Sequence, residues 1–96
     1  MKLVLKRTFL DRLKRQLDFI ALDSPARSGK FGKALMKAVR NIPSNPLHYR
    51  KSVYFDDSNV RDMVFKGYSV VFTIEKEEIV VFGLVNQQLR PTDTDE

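Results

Sequence analysis

The spacing of apolar positions changes period twice along the chain. Residues 2–6, KLVLK, alternate briefly and predict a short first strand. From there Leu10, Leu13, Leu17 and Ile20 recur at three- and four-residue steps, one face of a helix over about 9–22. Thr8 offers a hydroxyl as its N-cap, and Asp11 an acid for its first turn. The pattern breaks at DSPARSGKFG, where Pro25, Gly29 and Gly32 predict the turn of a helical hairpin. A second helix then runs to about Asn41 on a stripe of Phe31, Leu35, Ala38 or Val39, and Ile42. IPSNP ends it, because Pro43 has no N–H to donate and Pro46 turns Asn45 away from helical backbone.

After the turn chemistry of Asp57, Ser58 and Asn59, three short apolar runs predict consecutive strands over about 60–65, 68–75 and 78–85. Lys66–Gly67 and Lys76–Glu77 join them, and Gly67 suits a tight hairpin. In the middle run Tyr68, Val70, Phe72 and Ile74 share one face, expected to meet the helices. Ser69, Val71, Thr73 and Glu75 share the other, expected to line an open, concave face. The last run is apolar on both faces, which places it centrally, and Gly83 within it predicts a bulge or a close backbone approach. The order β-α-α-β-β-β makes an α+β layer: an N-terminal strand and a two-helix hairpin on a small, mainly antiparallel sheet. One domain is expected over residues 1–91, followed by a flexible acidic tail, 92–96.

Charge narrows the partners. Seventeen Lys and Arg against twelve Asp and Glu leave a formal net charge of +5, which suits phosphate backbones, acidic protein segments or anionic surfaces. Lys30, Lys33, Lys37 and Arg40 form a basic stripe on the second helix with no acid between them, and Arg7, Arg12, Lys14 and Arg15 add charge to the first. The stripe is either a solvated helix face or a docking surface for an acidic segment or a phosphate-bearing target. Without cysteine, and with His48 as the single histidine, no metal site or cofactor is expected. No apolar run approaches the roughly eighteen residues of a membrane span, and Lys6 and Arg7 interrupt any signal-like segment, so a cytoplasmic location is expected.

The basic first strand, the hairpin with SPARSGKFGKAL, the Asn45–Pro46 pair and the run VRDMVFKGYSVVFTIEKEEIVVFGLVNQQLRP together resemble the RelE/ParE toxins of bacterial type II toxin–antitoxin pairs. The resemblance covers about residues 2–91, and it rests on order, spacing and length more than on any single motif. It implies a growth inhibitor neutralised by a cognate antitoxin, with one of two targets. RelE-like members cut mRNA on the ribosome, and ParE-like members inhibit DNA gyrase.

Metal-independent RNA cleavage needs a base, cations for the phosphate and an acid for the leaving oxygen. Where RelE-like members keep such groups, this chain has Ser69, Asp62, Asn86, Gln87, Gln88 and Leu89, and no Tyr or His follows Pro91. Arg61 and Arg90 remain as cations near the sheet's expected working face, and His48 heads a compact HYRK. These three are the candidate catalytic residues. Lys30, Lys33, Lys37, Arg40, Arg61 and Arg90 are the candidate contacts to antitoxin or target. Arg61 is equally suited to supporting the fold by pairing with an acid such as Glu75. The reading favours a ParE-like, protein-binding inhibitor over a hydrolase. A RelE-like nuclease with an atypical site is the second reading, and a non-toxic basic nucleic-acid-binding module the third.

Overall fold

The computed structural model describes residues 1–87. The elements run β1 (Lys2–Leu5), α1 (Arg7–Asp23), α2 (Pro25–Arg40), two single 3₁₀ turns (Ile42–Ser44 and Pro46–His48), β2 (Arg50–Lys51), β3 (Val60–Phe65), β4 (Tyr68–Ile74) and β5 (Glu78–Asn86). The architecture is α+β, as expected, with a five-stranded sheet in the order β1-β5-β4-β3-β2. β1 pairs parallel to β5, and every other pairing is antiparallel. Phe9, Leu13, Leu35, Val39, Met63, Val70, Phe72 and Val81 form the core between the helices and one sheet face.

Four local expectations are corrected. Thr8 is not the cap of α1: Lys6 holds that position, no side chain caps it, and no acid lies in the first turn. The strand runs straight into the helix, so Lys6 O accepts from Phe9 N and Leu10 N, while Thr8 Oγ1 donates to Phe82 O at 2.7 Å. Leu10 is exposed, and Phe9 takes the buried place at the head of the stripe with 0% exposure. Residues 25–32 are helical and are not the hairpin turn. Ser24 caps α2 by accepting from Arg27 N at 3.1 Å, and Pro25 occupies the first helical position, where its missing N–H costs nothing. Gly32 then faces α1, where a Cβ would lie 3.3 Å from both methyls of Leu17.

The fourth correction concerns the second sheet face. Ser69 and Val71 point away from the helices, yet they are 0% and 1% exposed, so this face is not open along β4. Residues 52–59 cross it as a strap. Val53 N donates to Asp62 Oδ2, Phe55 meets Phe82 edge-on at 5.4 Å, and Gln87 Nε2 donates to the Tyr54 hydroxyl. A register shift opposite Val71 and Phe72 makes the expected bulge at Phe82–Gly83. Both residues turn toward the strap, between core residues Val81 and Leu84. A Cβ on Gly83 would come within 3.3 Å of Val71 Cβ, so the bulge and the close approach coincide. Among the described residues no helix is long and apolar enough to cross a membrane.

Candidate functional site

The last turns of α1 are apolar on more than one side, and only part of that surface reaches the core. Phe19 and Leu22 are 58% and 85% exposed. With Ile20, Phe31 and Ala34 they floor a groove of about 1020 Å³ that runs from the helical hairpin to the β3–β4 turn. Three cations line it: Arg27 and Lys30 from α2, and Lys66 from the β3–β4 turn. Arg27 is tied to Asp23 at 2.8 Å, which fixes one corner.

The sheet end of the groove is built by aromatic and amide contacts. Phe31 lies 5.0 Å from the Tyr68 ring and 6.0 Å from that of Phe65, centroid to centroid, which clamps α2 onto the β3–β4 hairpin. Lys66 and Gly67 both have positive φ, 48° and 84°, the signature of a primed two-residue turn. The turn brings the Lys66 ammonium 5.5 Å from the Phe65 ring centre. Below it, Gln16 Oε1 accepts from Tyr68 OH at 3.0 Å and from Asn86 Nδ2 at 2.9 Å. Burial raises the Tyr68 phenol above its ordinary pKa of 10.0, so it stays a neutral donor.

The sequence candidates divide between surfaces. Lys30 lines the groove. Lys33 is exposed on the outer side of α2. Lys37 and Arg40 flank a shallow depression over Ala34, Ala38 and Asn41. Arg61 stands on the helix side of β3 with Met63, away from the strap face where a working surface was expected. Its guanidinium donates to the Tyr49 carbonyl at 3.0 Å, its Nε is buried without a partner, and it does not pair with Glu75, which accepts from Thr73 Oγ1. It ties the segment before β2 to the sheet. His48 is exposed and sits edge-on to Tyr49 at 5.4 Å. No hydrogen bond or ion pair joins it to Arg61 among the described residues. Arg90, Gln88, Leu89 and the acidic tail lie outside the described residues. Among the described residues no group of three or more His, Cys, Asp or Glu could hold a metal ion.

Sequence reasoning missed four groove-lining or anchoring residues. Phe19 and Leu22 lie off the stripe, and their exposure emerges only once the core is seen to be full without them. Lys66 reads as a turn residue; only the fold brings it opposite Arg27 and Lys30. Asp62 sits where a cation was sought. It is buried, accepts from Val53 N at 3.0 Å and pairs with Arg50 Nη2 at 3.2 Å, so it anchors the strap.

The chain is thus a small α+β domain with an apolar groove rimmed by three cations. Its architecture is similar to that of a solved chain described as the chromosomal ParDE toxin–antitoxin system from P. aeruginosa, with a TM-score of 0.75 and 17% identity over 90% of this chain and 95% of that one. Residues 3–90 match the family model described as the ParE toxin of the type II toxin–antitoxin system, parDE. The chain therefore belongs to the ParE toxin family, within the RelE/ParE superfamily of type II toxins. No curated protein sequence matches it.

Proposed function

We propose that this toxin acts by binding and not by hydrolysis, that its target is DNA gyrase, and that a cognate antitoxin silences it in the cytoplasm by filling the groove. The observation that carries the antitoxin half is the groove itself: exposed Phe19 and Leu22 on the floor, Arg27, Lys30 and Lys66 around it. That combination suits an amphipathic acidic segment, with apolar side chains seated on the floor and carboxylates toward the cations. Such a segment, wrapping on beyond the groove, would bury on the order of 2,000 Å² in all, as stable pairs do.

The gyrase half is supported by family membership and by the chemistry around the candidate residues. Among the described residues the His48 imidazole meets the Tyr49 ring and joins no side-chain hydrogen bond, and Arg61 is spent on the Tyr49 carbonyl. A general acid–base pair needs groups within hydrogen-bond reach of the reacting atoms.

The deciding experiment is controlled expression in a bacterial host, alone and with the product of the adjacent gene. Growth, the SOS response, plasmid supercoiling and mRNA integrity are scored together. Arrest with SOS induction, loss of supercoiling and intact mRNA is the expected result, with relief on co-expression. Ribosome-dependent mRNA cleavage that disappears in His48→Ala or Arg61→Ala would replace this reading with a RelE-like nuclease. Growth unaffected by the chain alone would leave a non-toxic binding module.

A further inference from the structure

We propose that the outer face of α2 is a second docking surface, which adjoins the groove at Ala34, and that its occupant is the phosphate backbone of duplex DNA. The charge distribution points there first. From Ser24 to Phe55 the chain carries seven Lys and Arg and not one Asp or Glu. Lys33, Lys37 and Arg40 are all exposed, and none joins an ion pair among the described residues. They stand opposite the buried side of the helix, where Ser28, Leu35 and Val39 lie.

Local shape adds a seat. Lys37 and Arg40 flank a depression of about 510 Å³ whose floor is Ala34 and Ala38, side chains too small to hold an incoming group away. Asn41 completes it. Its Oδ1 accepts from Ser44 Oγ at 3.3 Å, which leaves its Nδ2 amide as the donor beside the two cations. The seat lies at the C-terminal end of α2, where the helix dipole carries a partial negative charge that opposes an anion. Two full positive charges outweigh that half-charge.

The surface fits a nucleic acid better than an acidic protein segment. A protein partner needs an apolar centre to its interface, and no large apolar side chain of residues 25–40 is exposed. It fits a duplex better than a single strand, because single-strand platforms stack bases on aromatic rings, and none lies on this face. Lys33 to Arg40 spans about 10 Å of helix axis at 1.5 Å per residue. That matches the rise of about three nucleotides on one strand of a duplex. Such contacts fix position without reading sequence. The choice of DNA over RNA as that duplex rests on the gyrase reading, since gyrase holds duplex DNA.

The test is fluorescence anisotropy with a labelled duplex DNA of arbitrary sequence, the matching duplex RNA and the single strand, each titrated across a range of salt. Three contacts predict a slope of log K against log salt near −2.7, at about −0.9 per phosphate. The Lys33→Gln/Lys37→Gln double variant should lose about two of those units and bind at least about tenfold more weakly at low salt. The Lys2→Gln/Lys76→Gln variant removes the same amount of charge from exposed sites elsewhere and should stay within about twofold of wild type. Equal loss in both variants, equal affinity for duplex RNA or single strand, or no binding to duplex DNA overturns the proposal. Gyrase is assayed separately. Wild type that binds DNA but leaves gyrase active sinks the gyrase reading alone, and wild type that inhibits gyrase without binding DNA sinks this proposal alone.

Discussion

The Tyr68 hydroxyl donates to the side-chain oxygen of Gln16 across 52 residues of chain, at 3.0 Å. Asn86 Nδ2 donates to the same oxygen at 2.9 Å, so one glutamine joins α1 to the end of β5 and the start of β4. Tyr68→Phe keeps the ring against Phe31 and removes one of the two bonds. The expected loss is about 1 kcal/mol, read by denaturant unfolding at neutral pH. A loss above about 3 kcal/mol would mean the substitution disturbs the groove wall itself.

The same residue gives a pH signature. The folded pKa of Tyr68 is raised, so the unfolded chain releases this proton first. The stability it contributes is complete below pH 10, then falls as pH rises through the unfolded and on toward the folded value. Wild type should therefore lose more stability than Tyr68→Phe between about pH 9.5 and 11. Parallel curves for the two proteins would show that the phenol is no less solvated than in the unfolded chain.

Gly29 and Gly32 are both interior to α2 but should respond differently. Nothing lies within 4 Å of a Cβ at Gly29, so Gly29→Ala should stabilise by close to the helix-propensity gain of about 1 kcal/mol. At Gly32 the added methyl meets Leu17 at 3.3 Å, and Leu17 must shift to admit it. Gly32→Ala should gain clearly less than Gly29→Ala by thermal unfolding. The reverse order would refute the helix crossing described here.

Lys66 holds a left-handed backbone that Asn or Gly adopts more cheaply. Lys66→Asn should stabilise the hairpin by roughly 0.5–1 kcal/mol while weakening antitoxin binding, because one cation leaves the groove. Calorimetry of unfolding and of binding separates the two effects. A variant that gains stability and binds with unchanged affinity would remove Lys66 from the recognition surface.

Asp62→Ala should release the strap. It leaves Val53 N without its acceptor and Arg50 without its partner, at a cost of about 1–3 kcal/mol. Limited proteolysis should then cut within residues 52–59, at sites the wild type protects. Unchanged protection would mean the Phe55–Phe82 contact holds the strap by itself.

The strands from Val60 onward were legible because alternation is a strong signal and Lys66–Gly67 marks a turn on its own. The helical hairpin was legible in kind but misplaced in position. Pro25 and two glycines look like a break, yet proline is welcome at a helix start and Gly32 serves the crossing with Leu17. β2, two residues long, carries no period to read. The strap was unreadable for the same reason: Val53, Tyr54 and Phe55 are apolar without alternation, and their partners Asp62 and Phe82 come from two different strands. The basic stripe was visible from spacing alone. The groove was not, because it gathers α1, α2, the β3–β4 turn and the end of β5, and no local pattern encodes that meeting.

The parallel pairing of β1 with β5 sets a clock on the toxin's birth. Lys2 is made 76 residues before its partner Glu78. At translation rates of about 5–20 residues per second, the first strand waits roughly 4–15 s for its mate to emerge. The groove waits with it, since Tyr68 and Asn86 arrive just as late. A nascent chain therefore lacks the mate of its first strand, and one wall of the groove, until residues 68–86 have emerged.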